Sequence, residues 1–134
     1  MKIQALAAAL MMVFVACVNV DGGQESARQD VDGIQVQTRD DHGTLTAALP
    51  DGSKLTWDIT TTSASLDLPR FATTIIVHLD GLEPSPELAA IAAVKASRGY
   101  AETRERANAW EDWCFFLVWD PVANDYVFVI DPFC

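Results

Sequence analysis

CFFLVWDPVANDYVFVIDPFC, residues 114–134, is the stretch on which the fold turns. Two short apolar runs, 114–119 and 126–131, flank DPVAND, which predicts a hairpin centred between Val122 and Ala123. That register sets Phe115 opposite Ile130, Leu117 opposite Phe128 and Trp119 opposite Tyr126. Cys114 then faces Asp131. Cys134 lies just beyond, and the Asp131-Pro132 step turns the chain back, so the sulfurs can reach the Cα separation of about 4.4–6.8 Å that a disulfide needs. A loop of this size, once closed, stabilises by about 3 kcal/mol in the chain-entropy account.

Neither strand alternates with polar residues, so both faces need cover. The primary expectation is burial on both faces in a sheet that curls around them. The alternative is an exposed patch of Phe116, Val118, Val127 and Val129 that a partner buries.

Working back toward the amino end, residues 86–98 place Leu88, Ile91, Ala92 and Val94 on one broad side of a helix, with Ser85 as cap, Pro86 in the first turn and Glu87 near the positive end of the dipole. Gly99 interrupts, and Tyr100 to Trp113 resumes at three- and four-residue spacings. One helix, kinked or split near Gly99, is expected. Residues 72–80 read as an apolar strand, and SASLDLPR before them as a loop. Earlier still, IQVQTR (34–39), TLTAAL (44–49) and KLTWDITT (54–61) alternate apolar with polar, separated by the turns DDHG and PDGS. The expected fold is α+β: an antiparallel sheet of about six strands, one long or broken helix on one face, and a disulfide-braced C-terminal hairpin.

The chain has 134 residues and a net charge of -10, an acidity that repels nucleic-acid phosphates and anionic lipid head groups. A basic protein partner, a cationic ligand or a divalent metal suits it better, and the plain alternative is that the acidity only keeps a small domain soluble. Residues 3–16 (IQALAAALMMVFVA) follow a basic Met1-Lys2 start and match the apolar core of a secretory signal, too short for a comfortable permanent span. Residues 18–33 are polar and Gly-containing, and read as a flexible tether. The division expected is therefore 1–16 signal, 17–33 tether and 34–134 a single domain.

Phe14-Val15-Ala16-Cys17 resembles the lipobox of bacterial lipoproteins, with Phe14 where that family usually carries Leu. The resemblance implies that Cys17 is diacylated and becomes the first residue of the mature chain, an anchor that a single acyl chain would not supply. Val18, rather than Asp, is similar to the pattern that sends such proteins to the outer membrane, facing the periplasm. Of the three cysteines, Cys114 and Cys134 then remain as an even pair.

Trp110, Glu111, Asp112 and Trp113, with Phe116 and Val118 just after them, form the candidate binding surface, since aromatic groups beside carboxylates stack sugars, cage cations or anchor partners. Packing is the first account of Trp110 and Trp119. His42 among Asp40 and Asp41 reads as a solvated turn rather than a metal site, and Asp30 and Asp32 lack the regular spacing of a calcium loop. No metal or cofactor is expected. Pairs such as Glu105 with Glu111 or Asp58 with Asp80 are no more than any acidic chain offers for glycoside hydrolysis, and no Gly-x-Ser-x-Gly elbow or Gly-rich phosphate loop occurs. The expectation is a non-catalytic envelope lipoprotein binding a protein. Its rivals are a small secreted hydrolase or carbohydrate-binding module, and an immunity or inhibitor protein directed at a toxic enzyme.

Overall fold

The computed structural model describes residues 25–104, 113–132 and 134. Eight strands form one sheet in sequence order: β1 (Glu25–Val31), β2 (Ile34–Asp40), β3 (Thr44–Ala48), β4 (Lys54–Asp58), β5 (Ser63–Leu68), β6 (Thr73–His78), β7 (Cys114–Asp120) and β8 (Asp125–Asp131). A helix, α1 (Pro86–Arg104), carries the chain from β6 to β7, which therefore pair in parallel, whereas every other neighbour is antiparallel. A hairpin turn cannot join parallel strands, so a helical crossover is needed at that point.

The C-terminal hairpin has the expected register, with Phe115 opposite Ile130, Leu117 opposite Phe128, Trp119 opposite Tyr126 and Cys114 opposite Asp131. Asn124 takes the left-handed conformation that closes its loop, which an Asn tolerates better than most residues. Cys114 and Cys134 are joined in a disulfide, their Cα atoms 6.1 Å apart. At the other end of the fold, Ser85 caps α1 through its hydroxyl, which accepts a hydrogen bond of 3.0 Å from the Leu88 N–H.

Three expectations are corrected. The tether drawn over residues 18–33 is, from Glu25 to Val31, the edge strand β1, while residues 18–24 lie outside the described residues. Asp32 and Gly33 both have positive φ, at 53° and 80°, which is the two-residue turn that an Asp-Gly pair favours in a hairpin. The SASLDLPR loop contains β5, whose Ala64, Leu66 and Leu68 are buried while Asp67 is exposed. These additions take the sheet from about six strands to eight. Finally, α1 runs through Gly99 without a break, and the expected continuation over residues 105–112 lies outside the described residues.

A flat sheet of this many strands at about 4.8 Å spacing is about 34 Å wide, whereas one helix is about 10–12 Å across. Yet neighbouring turns of α1 touch both edges at once, Lys95 bonding to Asp125 at the start of β8 and Arg98 to Asp32 between β1 and β2. The sheet must therefore curl around the helix. The residues of α1 allow this: Leu88, Ala89, Ala90, Ala92, Ala93, Val94, Ala96, Ser97 and Tyr100 are all buried. At about 100° per residue these positions cover roughly two thirds of the helix circumference. Alanines bring strand and helix close together, and the larger sheet residues Leu45, Leu55, Trp57, Leu66, Val77 and Leu117 fill the space between.

At Gly99 the helix comes close against β8. A Cβ placed there would run into the ring of Phe128 on β8. Phe128 in turn stacks on Phe115 at 5.9 Å, Phe115 meets Tyr100 edge-on at 5.9 Å, and Tyr100 meets Phe71 at 5.3 Å, so an aromatic row runs through the core. Gly99→Ala raises intrinsic helix propensity, but the overpacking dominates, and the variant is expected to lose about 1–2 kcal/mol in urea or thermal unfolding. A rise in melting temperature would show that the ring moves aside freely.

Candidate functional site

Period two in a strand sends neighbouring residues to opposite faces. On the face away from α1, β2 to β5 present Gln37, Arg39, Thr46, Thr56, Ser65 and Asp67. From β6 onward the same face turns apolar: Phe116, Val118, Val127 and Val129 are joined by the pairs Phe116 with Val129 and Val118 with Val127, and Ile76 on β6 lies diagonally across from Phe116, one step from the His78 that faces it. Ile76 is 48% exposed, Val129 40% and Val118 37%. The primary expectation of burial on both faces is thus corrected; the second face of the hairpin is a half-exposed patch. The ring of His78 lies at its border, 5.0 Å from that of Phe116.

The residues proposed from sequence as one surface are split by this parity. Phe116 and Val118 lie in the outer patch. Trp113, one residue before β7, packs on the opposite side against the core with Tyr126, Phe128 and Ile130. Trp110, Glu111, Asp112 and Cys17 lie outside the described residues. Trp119 meets Tyr126 edge-on at 5.0 Å, as its pairing implied, but it is 45% exposed rather than core.

A second feature was missed in the sequence. The part of α1 that the sheet leaves open carries Glu87, Ile91, Lys95, Arg98 and Glu102, spaced by four, four, three and four residues along one stripe. This stripe floors a seam between the two edges of the sheet. Lys95 reaches one wall: its ammonium lies 2.6 Å from Asp125 Oδ2 and donates to the Tyr126 carbonyl at 3.0 Å. Arg98 reaches the other, donating to the Asp32 carbonyl at 3.2 Å with its second nitrogen 3.5 Å from Asp32 Oδ2. Toward the disulfide the seam widens into a cavity of ≈ 670 Å³ along β8, lined among others by Arg98, Glu102, Trp113, Phe128, Ile130 and Pro132. The signal for it was present, since the polar residues of the helix recur with the same period as the apolar ones.

Other candidates are dispersed. His42 is 96% exposed on its turn, with Nε2 3.5 Å from Asp41 Oδ1. No group of three or more His, Cys, Asp or Glu able to hold a metal occurs among the described residues. Asp58 accepts from the Thr60 N–H at 3.1 Å and its hydroxyl at 2.8 Å, and these bonds hold its carboxyl below the usual range. A general acid needs the opposite shift. No helix among the described residues is long and apolar enough to cross a membrane. No family model matches the chain, and neither a curated protein nor a solved structure is detectably similar to it.

The Lys95 ammonium, by hydrogen bonding to Asp125, holds that carboxyl below its ordinary value, and the Tyr126 N–H adds to the effect. A folded-state pKa below the unfolded value of about 3.9 contributes stability that is complete above that pH and lost as the pH falls through the folded value. Asp125→Asn is expected to flatten the acid limb of stability, measured by urea unfolding from about pH 6 to about pH 2.5, and added salt should shrink the difference because the pair is exposed. An acid limb unchanged by the substitution would contradict this.

Proposed function

We propose that this chain is a non-catalytic, lipid-anchored protein of a bacterial envelope, exported on residues 1–16, acylated at Cys17 and facing the periplasm from the outer membrane, whose α+β domain binds a protein partner. The observation that carries the partner reading is the outer patch of Ile76, Phe116, Val118, Val127 and Val129, contiguous and half exposed on a face that is otherwise polar. Burying such side chains is worth about 25 cal/mol per Å2 of apolar surface, and contiguous patches of this kind mark interaction surfaces. The net charge of -10 favours a basic partner and speeds its encounter.

The anchor reading rests on the FVAC motif and on the sulfur count. With Cys114 and Cys134 bonded to each other, Cys17 is the cysteine left for acylation. Two acyl chains hold a protein at a membrane where one does not. The chain would then display its patch to partners within the same compartment.

Paired lysines at Val118 and Val129 test the partner reading. Both sites are surface positions of the outer face, so the double variant is expected to keep its melting temperature nearly unchanged. A photo-crosslinking residue at Ile76 should then lose its adduct in cells. An adduct that survives the lysines would place the contact elsewhere. The anchor is checked separately by intact mass of the membrane fraction: a chain beginning at Cys17 with a diacylglycerol increment is expected, and a soluble chain beginning elsewhere would remove it.

A further inference from the structure

The free edge of β8 differs from that of an ordinary strand in how its backbone groups are used. The Tyr126 N–H donates to Asp125 Oδ1 at 2.8 Å and the Tyr126 carbonyl accepts from Lys95 at 3.0 Å, so neither belongs to the ladder with β7. In an antiparallel pair the peptide groups of alternate residues point the same way. Phe128 and Ile130 therefore aim their N–H and C=O outward with Tyr126, while Val127 and Val129 bond to β7. The Lys95–Asp125 pair caps the first of the three outward positions. Phe128 and Ile130, at the other two, both line the ≈ 670 Å³ cavity beside α1.

From this geometry we infer that the β8 edge accepts one extended, basic segment of a partner protein, which adds as a ninth strand in the seam between β8 and the β1–β2 turn. The inference rests on the partner-binding reading above and names what is bound and where. A strand added at about 4.8 Å from β8 would satisfy the outward groups of Phe128 and Ile130. Its alternate side chains would meet Phe128 and Ile130 on the inner side, and Val127 and Val129 on the outer, extending the apolar patch. The capped Tyr126 peptide sets the limit of the paired stretch.

Charge chooses the occupant. Lys95 and Arg98 are matched by Asp125 and Asp32. Glu102 lines the same cavity, is exposed, and has no cationic partner among the described residues. Of the described charged residues around this cavity, Glu102 is thus the one left for a lysine or arginine of the incoming strand to meet. A second copy of this chain is a poor occupant, because each carries -10.

The probes are blocked octapeptides of alternating valine and threonine with one lysine moved through the positions, titrated into the isotope-labelled full chain in detergent micelles. Hydrogen exchange at the Phe128 and Ile130 amides is expected to be fast in the free chain and to slow by about tenfold or more with peptide, while Val127 and Val129 stay protected throughout. N-methylation along one edge of the peptide should abolish binding, and along the other edge leave it intact. Glu102→Gln should weaken the best lysine peptide by about threefold and leave a lysine-free peptide unaffected. The inference is overturned if no peptide slows these amides or if methylation of either edge has the same effect. It is equally overturned if both amides are already slow in the free chain, showing the edge covered by its own residues, or slow only as protein concentration rises, showing self-pairing. Should the peptides fail while lysines at Val118 and Val129 still remove the cellular adduct, the edge inference falls and the partner reading stands.

Discussion

The contact between an alanine-lined helix and a sheet that closes around it is what the rest of this structure depends on. Ala89, Ala90, Ala92, Ala93 and Ala96 are fully buried, and their small side chains let strands approach α1 closely from several directions. The curl brings both edges of the sheet to one helix. It also leaves a single open strip of α1, and that strip is where the chain places its charged helix residues.

Closure at the two edges is achieved differently. On the β8 side the ring of Phe128 sits against Gly99, and the disulfide joins Cys134, beyond the end of β8, to the first residue of β7. The β1 side is lighter: Val31 and Ile34 are only half buried, and Arg98 holds the Asp32 turn from the helix. Exposed ion pairs contribute little by themselves. Their effect here is positional, since Lys95 and Arg98 fix where the two walls of the seam stand. An edge strand is a hazard that proteins usually blunt with charge or cover. Among the described residues of β8, that protection is seen at Tyr126.

The legibility of the fold in the sequence followed the contrast between faces. The last hairpin was readable to the residue, because apolar runs of equal length around DPVAND allow one register that brings Cys114 and Cys134 together. Strands β2, β3 and β4 were readable through alternation, and Ser85-Pro86 marked the start of α1. β1 was hidden because an edge strand with Ala27, Arg28 and Asp30 exposed has no dry face to reveal it; only Asp32-Gly33 signalled the turn. β5 was hidden by its serines and aspartate, although Ala64, Leu66 and Leu68 alternate cleanly. The reading of Gly99 as a break failed because its neighbour in space, Phe128, is distant in sequence. Of the residues grouped as one surface, Phe116 and Val118 do share the outer face, whereas the grouping with Trp113 ignored strand parity. The Lys95–Arg98 stripe escaped because only the apolar side of the helix was traced.

The curled sheet is tested most directly by through-space proton contacts in one NMR sample of the folded chain. Cross-peaks from the Phe128 ring to the Gly99 α protons are expected together with cross-peaks from the Arg98 side chain to Asp32, both edges meeting the same helix at once. Contacts on the β8 side alone, with the Asp32 turn remote from α1, would mean an open sheet, and the seam would not exist.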